Sequence, residues 1–281
     1  MKLGTCVSLA TMDGVEEKLA LLHKFGFHSC QLVSWNSKIR TDENARILKQ
    51  LLAQYEIEVS AFWCGWEGPS DWNFYEGQLT LGLVPVDYRY ARVKNLCDGA
   101  DFAHKLGITD VATHMGFIPE NPYDPNFPGF CRAVRIVAEH LKKNNQYLLF
   151  ETGQETPVTM LRCFEAVGCD NLAVNLDTAN LILYGKANPV DALEVFGKYV
   201  RNLHAKDGCW PVNGHDLGME TAIGQGKVDF PGVFRKLHAL GFDSWVTIER
   251  EIDGDQQIAD ILSARDYLQK IIEEIYGCKA E

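Results

Sequence analysis

The sequence predicts one α/β domain that spans residues 1–281 and folds as a (β/α)8 barrel, the TIM-barrel fold class. Three observations lead to this prediction. Eight short apolar runs have the pattern of parallel strands covered on both faces. A helical pattern separates each run from the next, and no linker rich in Pro, Gly or Ser divides the chain. Strict alternation of strand and helix, repeated eight times, is typical of this barrel.

The predicted strands and helices follow one another regularly along the chain. The strand-like runs lie near residues 2–8, 27–33, 57–63, 109–114, 146–151, 171–177, 200–205 and 244–249. The helical patterns lie near residues 15–26, 41–55, 88–106, 126–143, 157–166, 189–198, 231–240 and 257–275. We expect Gly26 to end the first helix and Thr41 to cap the second.

Composition and charge indicate the class of partner. The chain is 46% hydrophobic and 23% charged, which is ordinary for a globular protein with a large core. Its formal net charge of −11 argues against a nucleic-acid partner, because affinity for phosphate backbones comes largely from clustered Lys and Arg. A small-molecule substrate is favoured. The oligomeric state stays open, a homo-oligomer included.

The cysteines and the amino terminus bear on the compartment. Nine cysteines are dispersed and never spaced as a Cys-x-x-Cys pair, a pattern typical of reduced thiols. The first residues do not have the pattern of a signal peptide, and no apolar run approaches the roughly 18 residues of a membrane span. We therefore expect a cytoplasmic protein with no membrane partner.

Four of the strand-like runs end on a side chain that can bind a metal ion. The runs YLLFE, LAVNLD, VRNLH and SWVTIE close on Glu151, Asp177, His204 and Glu249. The carboxyl ends of parallel strands face one ligand crevice, so these side chains should meet there. Three carboxylates and an imidazole suit a divalent cation such as Mn, Mg, Co or Zn. One such residue alone would more often be a helix cap or a solvated strand end, but four in succession favour a metal site.

Three long connections follow strands, at residues 64–87, 115–125 and 207–226. Long loops on the carboxyl face of a barrel are where substrates are held. The first loop contains Trp66, whose ring could lie against the C–H face of a sugar. Packing within the loop is the alternative role for this tryptophan.

Five motifs together resemble the xylose isomerase-like barrels, and among them the sugar phosphate isomerase/epimerase group. They are FETGQET (150–156), NLDTANLILYG (175–185), NLHAKDG (202–208), IGQGKVDF (223–230) and TIERE (247–251). The resemblance implies one divalent metal ion, with Mn expected first, held by Glu151, Asp177, His204 and Glu249. It also implies that Glu151 and Glu249 serve as catalytic base and acid beside a sugar carbonyl, through an enediolate that the ion stabilises.

Two further strand-end residues are candidates for substrate binding. His114 ends the fourth strand at the height where it could contact a substrate hydroxyl, and a hydrogen bond to a neighbouring side chain is its alternative role. Lys206 lies two residues after His204 and so points to the same side of its strand. Its ammonium group could offset negative charge on the substrate, or form a structural salt bridge to Asp207 or Glu249.

Residues in the loops add weaker candidates. Glu155, with its neighbour Gln154, could hydrogen-bond sugar hydroxyls or cap the next helix. Asn180 is also a candidate for substrate binding, and it stands where the ketose 3-epimerases carry a His. That departure counts against a free-ketose 3-epimerase. His215 and Asp216 could approach the site as a polar pair, but a solvated loop is favoured for them.

The leading functional hypothesis is a metal-dependent sugar isomerase or epimerase of carbohydrate metabolism. A lyase or hydrolase acting on an oxidised sugar, such as a 3-oxo-glycoside, would use the same metal site, since proton abstraction beside a ketone is the shared first step. Cleavage of abasic DNA by an endonuclease is a remote third hypothesis. A metal-stabilised barrel that binds a sugar without turning it over is the alternative that is not an enzyme.

Overall fold

Eight parallel strands close into a barrel in the computed structural model, which describes residues 1–280. The described residues form these eight strands and two short ones outside the barrel, numbered in chain order as β1 (Lys2–Ser8), β2 (Ser29–Ser34), β3 (Glu58–Cys64), β4 (Asp110–Thr113), β5 (Tyr147–Glu151), β6 (Leu172–Asp177), β7 (Val200–Ala205), β8 (Asp207–Gly208), β9 (Glu220–Thr221) and β10 (Trp245–Ile248). The barrel runs in the order β1-β10-β7-β6-β5-β4-β3-β2, and β8 pairs separately with β9. The predicted fold class is confirmed.

Helices alternate with the barrel strands. They are α1 (Val15–Lys24), α2 (Asp42–Gln54), α3 (Gly77–Thr80), α4 (Val86–Leu106), α5 (Asn126–Lys143), α6 (Pro157–Val167), α7 (Thr178–Leu183), α8 (Pro189–Phe196), α9 (Phe230–Ala239) and α10 (Asp255–Tyr276). Short 3-10 helices lie at Ser37–Ile39 and Gly197–Tyr199. Within residues 1–280, none of the helices combines the length and the apolar character that a membrane crossing requires.

Local sequence explains where these elements begin and end. The Thr41 hydroxyl accepts a hydrogen bond from the backbone N–H of Asn44 at 3.2 Å, which caps α2. Gly26 follows α1 with φ of +76°, the left-handed conformation that glycine adopts most easily. Both predicted helix boundaries are confirmed. The first and last residues of each predicted strand lie within two residues of those of a barrel strand.

Besides the 3-10 helix at Ser37–Ile39, four short elements were not predicted. They are α3, α7, β8 and β9, all of which lie in connections after barrel strands. Helix α7 has six residues and β8 has two, and segments this short do not display a periodic apolar pattern. Helix α7 also starts directly after Asp177, so the chain turns from strand to helix without a loop.

The packing of the barrel directs the strand-end residues into its mouth. Phe130 and Phe150 are fully buried in the core between the strands and the surrounding helices. Leu149 and Ala173 belong to a second apolar cluster, on the opposite side of their strands. Since successive strand residues alternate between the two sides, Glu151 points to the same side as Leu149. The carboxyl ends of the strands therefore present their side chains to the interior.

Candidate metal centre

Glu151, Asp177, His204 and Glu249 meet at the carboxyl end of the barrel. The first two are the last residues of β5 and β6, His204 lies in β7, and Glu249 directly follows β10. One ligand atom from each residue lies within 4.8 Å of the others. Asp177 and His204 are fully buried, whereas Glu249 keeps part of its side chain exposed. The structure brings together all four side chains that the strand ends indicated.

A hydrogen bond to Gln31 determines which nitrogen of His204 faces the cluster. The Nε2 atom of His204 lies 2.7 Å from Gln31 Oε1 and donates its proton to that amide oxygen. The other nitrogen, Nδ1, has no hydrogen-bond partner. It lies 3.4 Å from Glu151 Oε1 and 3.3 Å from Glu249 Oε2. The Nδ1 atom is therefore directed at the carboxylates.

The electrostatics around His204 favour a positive charge at this point. Burial by itself would lower the pKa of the imidazole, but the carboxylates of Glu151 and Glu249 outweigh that effect and raise it well above its usual value. A proton on Nδ1 or a metal ion beside it would supply the positive charge. The carboxylates of the cluster therefore favour the binding of a cation beside Nδ1.

Asp177 uses its two oxygens differently. Oδ1 accepts a hydrogen bond from the backbone N–H of Asn180 at 2.8 Å and thereby caps α7. Oδ2 is buried without a hydrogen-bond partner, 3.9 Å from His204 Nδ1. Burial raises the pKa of this carboxyl well above its usual value, although Lys206 acts in the opposite direction. A cation beside Oδ2 would stabilise the ionised form.

The four residues fit a divalent cation. Two of their buried atoms, Asp177 Oδ2 and His204 Nδ1, have no partner in the protein, and buried polar atoms are normally paired. The distances of 3.3 to 3.9 Å from Nδ1 to the three carboxylates are longer than charge-assisted hydrogen bonds. They suit neighbouring ligands of one ion, each about 2.1 Å from its centre. Three carboxylates and one imidazole are a donor set for such an ion.

Glu151 is held in place through one oxygen. Its Oε2 accepts hydrogen bonds from the indole N–H of Trp63 and from Asn175 Nδ2, the latter at 3.2 Å. Its Oε1 is left facing His204 and His114. Burial would raise the pKa of Glu151, but those two imidazoles outweigh it and hold the pKa below its usual value. Glu151 is therefore a carboxylate at neutral pH.

Lys206 is the ammonium group of this site. It is buried, and its Nζ lies 3.2 Å from Glu249 Oε2, 2.8 Å from Glu251 Oε2 and 3.8 Å from Asp177 Oδ2. Burial would lower the pKa of Lys206, but Glu249 and Glu251 outweigh burial and raise it well above its usual value. Lys206 is charged at neutral pH. The salt bridge to Glu249 is present, and Glu251 rather than Asp207 is the second partner.

A cavity of about 290 Å³ opens beside the four residues and is lined by two of them, Glu151 and Glu249. Its lining comprises Val33, Trp35, Trp63, Trp72, His114, Glu151, Asn180, Leu183, Tyr184, Lys206, Leu217, Glu249 and Glu251. His114, Lys206 and Asn180 thus lie in the cavity wall, in reach of a molecule that would occupy it. Trp66 and Glu155 are not in this lining: both are buried, and Trp66 lies behind Trp72.

Trp35, Glu251 and Gln31 belong to the site but were not predicted from the sequence. Trp35 follows β2 and Glu251 lies two residues after Glu249, so the strand-end rule applied to the other residues would have found both. Gln31 interrupts the apolar run CQLV of β2, and a buried amide inside a strand is a signal of a polar partner. That partner, His204, could not be read from the sequence.

Asp207 and the IGQG motif build the loop beside the cavity. The buried Asp207 carboxylate accepts hydrogen bonds from the backbone N–H groups of Gly224 and Gly226, at 2.9 Å each, and of Val228, at 3.1 Å. A Cβ atom at Gly226 would come within 2.1 Å of Asp207 Oδ1, so only glycine fits there. The motif therefore has a structural role in the loop.

His215 and Asp216 lie outside the site. This agrees with the prediction that they belong to a solvated loop. Both are exposed, and His215 Nδ1 lies 2.7 Å from Asp216 Oδ1. The ring of His215 stacks near Tyr75, with 5.1 Å between ring centroids. Neither residue lines the cavity, but the contact joins the two long loops at residues 64–87 and 207–226.

The family follows from a match over most of the chain. The description of the xylose isomerase-like TIM barrels fits residues 19–271 of this sequence. The chain belongs to that family. The predicted resemblance to the xylose isomerase-like barrels is confirmed.

Individual relatives agree on the fold and differ in activity. A xylose isomerase domain protein from Planctomyces limnophilus is 32% identical and superimposes with a TM-score of 0.92, with 99% of each chain covered. An L-ribulose 3-epimerase is 19% identical, with a TM-score of 0.75 over 98% of this chain and 96% of its own. Inosose dehydratase of Geobacillus thermodenitrificans is 26% identical over 170 residues, which are 54% of this chain and 55% of that relative. This chain therefore spans about half the length of the dehydratase that it matches.

Proposed function

We propose that the protein is a metal-dependent isomerase or epimerase that moves a proton beside the carbonyl of a sugar or a sugar-derived ketone. One observation carries this proposal. Glu151 and Glu249, on strands that two other strands separate, lie 3.4 and 3.3 Å from the same His204 nitrogen. Two carboxylates beside one cation site, both lining the same cavity, are what abstraction and return of a proton require.

The ion would be held by Glu151, Asp177, His204 and Glu249. When bound, it supplies Lewis-acid polarisation of the substrate carbonyl, which makes the neighbouring C–H acidic enough to lose its proton. The oxygen-rich donor set with one imidazole favours Mn, with Mg, Co and Zn as alternatives. Gln31 would fix the ring of His204 for this role.

Glu151 and Glu249 would handle the proton. The pKa of each is held below its usual value despite burial, by His204 and His114 for Glu151 and by Lys206 and His204 for Glu249. Either can therefore accept a proton at neutral pH. For epimerisation one carboxylate removes the proton, and the other, after it has taken up a proton from solvent, delivers that proton to the opposite face of the carbon. Return by the same carboxylate to the neighbouring carbon is isomerisation.

Three other lining residues would hold the substrate. Burial lowers the pKa of His114, so its imidazole is neutral at pH 7 and can donate or accept a hydrogen bond. Lys206 and Asn180 lie together, with 3.5 Å between Lys206 Nζ and Asn180 Oδ1. They present donors to substrate oxygens from the same side of the cavity.

A lyase acting on an oxidised sugar is the second candidate. The match to an inosose dehydratase favours it, because elimination begins with the same proton abstraction beside a ketone. His114 lines the cavity, so its imidazole could assist a leaving group. Abasic DNA is less favoured as a substrate, since the lining carries three carboxylates and one ammonium group.

Hydrogen exchange tests the proposal directly. The Mn-loaded protein is incubated in deuterated water with a panel of ketoses and 3-oxo-glycosides, and the products are analysed by NMR and mass spectrometry. We expect deuterium at the carbon beside the carbonyl. An isomer of unchanged composition identifies an isomerase or epimerase, whereas loss of water or of an alcohol identifies a lyase or hydrolase. Binding of a sugar with no exchange at all would contradict both and leave a sugar-binding protein.

Glu151→Gln and Glu249→Gln test the two carboxylates. Each change removes a base and keeps a hydrogen-bond acceptor, so exchange should fall by at least about 100-fold. The rate is expressed per bound Mn, measured on the same sample, to separate lost chemistry from lost metal. Glu194→Gln, at an exposed residue paired with Lys236 on the protein surface, is the matched control and should leave the rate unchanged. Retention of most activity in either site variant would disprove its assignment.

A further inference from the structure

Two tryptophan rings form an open corner in the cavity wall. Trp35 follows β2 and Trp72 lies in the loop after β3, and their ring planes are nearly perpendicular, at 88°, with centroids 6.2 Å apart. Trp35 is 38% exposed and Trp72 is 40% exposed, although both line the concave cavity. Large apolar faces left open to water inside a cavity are stabilised when a ligand covers them.

Packing behind the corner holds the two rings in position. Trp66, only 3% exposed, lies 5.0 Å from the Trp35 ring and 6.3 Å from the Trp72 ring, centroid to centroid. The Arg92 guanidinium lies over the ring of Trp66, 5.0 Å from its centroid. A Cβ atom at Gly65 would lie 2.4 Å from the Trp35 ring, so only glycine lets this ring lie so close to the backbone at position 65. The corner is thus formed before any ligand arrives.

The charges in the cavity disfavour an anionic substrate. Glu151, Glu249 and Glu251 line it, and Lys206 is already shared between Glu249 and Glu251. Among residues 1–280, the cavity lining contains no arginine. A phosphate group would be repelled by Glu251 and would lack the paired basic groups that usually bind it.

We propose that Trp35 and Trp72 form a second subsite, which holds an uncharged ring attached to the sugar that reaches the metal. The substrate is then a glycoside of an oxidised sugar, with an aromatic group or a second sugar as its substituent, and neither a free nor a phosphorylated monosaccharide. The inference rests on the proposed function for the sugar unit at the metal. The flat apolar faces of the corner match an aromatic ring or the C–H face of a sugar.

Calorimetric titration of unreactive glycosides tests the subsite without turnover. The probes are matched methyl and phenyl β-glycosides of glucose, galactose and xylose, with glucose 6-phosphate as the anionic probe, titrated into the Mn-loaded protein. We expect at least one phenyl glycoside to bind about tenfold more tightly than its methyl partner, as stacking on an aromatic face contributes on that scale. Glucose 6-phosphate should bind more weakly than either.

Variants assign the preference to the corner. Trp72→Ala and Trp35→Ala should each reduce the phenyl-to-methyl ratio to below about threefold, while Trp72→Phe retains a flat face and most of the ratio. Trp210→Ala is the matched control, because Trp210 is 41% exposed but does not line the cavity. No phenyl preference for any of the sugars, an unchanged ratio in both alanine variants, or preferred binding of glucose 6-phosphate overturns the proposal.

The two proposals fail separately. A phenyl preference that depends on Trp72, without deuterium exchange on any oxidised sugar, supports the subsite and contradicts the proposed isomerase. Exchange on free ketoses that Trp72→Ala leaves unchanged supports the isomerase and contradicts the subsite.

Discussion

A single hydrogen bond between Gln31 and His204 links opposite parts of the barrel. Gln31 lies on β2 and His204 on β7, and β1 and β10 separate these two strands in the sheet. The imidazole Nε2–H donates to Gln31 Oε1, and this orientation directs Nδ1 to the carboxylates. A residue that orients a metal ligand in this way affects metal affinity more than it affects folding.

Gln31→Leu should weaken metal binding while the fold is retained. Leucine fills a similar volume but cannot accept a hydrogen bond from Nε2 of His204. The imidazole ring therefore loses its fixed orientation. We expect Mn affinity, measured by titration, to fall by about 10- to 100-fold. Gln31→Glu keeps an acceptor oxygen and should retain most of the affinity. Equal affinities for wild type and Gln31→Leu would show that the hydrogen bond does not orient the ligand.

Glu155 should make the stability of the protein depend on pH. Burial raises its pKa from 4.5 to about 8. The folded protein therefore keeps the Glu155 proton over a pH range in which the unfolded chain releases it. Its contribution is complete below pH 4.5 and is lost as the pH rises toward 8, by roughly 1.4 kcal/mol for each pH unit.

Glu155→Gln isolates that contribution, because the amide stays neutral at every pH. The variant should gain stability relative to wild type as the pH rises from 6 to 8, and the difference should level off above that. Denaturant unfolding at several pH values measures it. A difference between the two proteins that does not vary with pH would show that Glu155 is ionised in the native state.

The residues of the site differ in how far the sequence predicted them. Glu151, Asp177, His204 and Glu249 could be recognised because each ends an apolar run, and the end of a parallel strand is a local property of the chain. Their roles as ligands stay a prediction. Trp66 shows the limit of the same reasoning: its loop was correctly assigned to the cavity side, but only packing decides which tryptophan of the loop is buried.

At the level of secondary-structure elements, the loop between β3 and α4 depends on one buried arginine. Arg92, in α4, donates hydrogen bonds to the backbone carbonyl oxygens of Thr80, Gly82 and Pro69, at 2.6, 2.7 and 2.8 Å. It is almost completely buried and also stacks on Trp66. The planar guanidinium satisfies three carbonyls that the loop leaves unpaired.

Arg92→Lys should destabilise this loop although the charge is kept. An ammonium group cannot reach all three carbonyls or stack in the same way, so we expect a loss of about 2 to 3 kcal/mol in the free energy of unfolding. Limited proteolysis should find new cleavage sites within residues 64–87. The control is Arg46→Lys, at an exposed pair with Glu43, where the expected change is below about 0.5 kcal/mol. Similar losses in both variants would contradict this role of Arg92.

At the scale of the whole molecule, the candidate metal centre joins four strands of the barrel. Its candidate ligands come from β5, β6, β7 and the end of β10, and three of them are carboxylates, of which Glu151 and Asp177 are buried. In the absence of a metal ion, only Lys206 and a proton on His204 offset the mutual repulsion of these carboxylates. Binding of an ion to the folded state alone must therefore stabilise the whole fold.

Added Mn should raise the melting temperature of the protein, and a chelator should lower it. At a free Mn concentration of 100 times Kd, the stabilisation is about 2.7 kcal/mol, or about 5 °C for a chain of this length. Asp177→Asn should abolish the shift, since its amide can still cap α7 through Asn180 but lacks the charge that faces the cluster. An undiminished shift in Asp177→Asn would place the bound Mn elsewhere.

The sequence by itself determined the barrel, the order of its strands and helices, and the four strand-end residues, because apolar periodicity and strand ends are local properties of the chain. Only the tertiary structure decided that Gln31 orients His204, that Lys206 pairs with Glu251, and that Trp35 meets Trp72. These contacts join side chains between about 40 and 170 positions apart. Their geometry depends on closure of the barrel and on packing of its loops, which no short segment of sequence specifies.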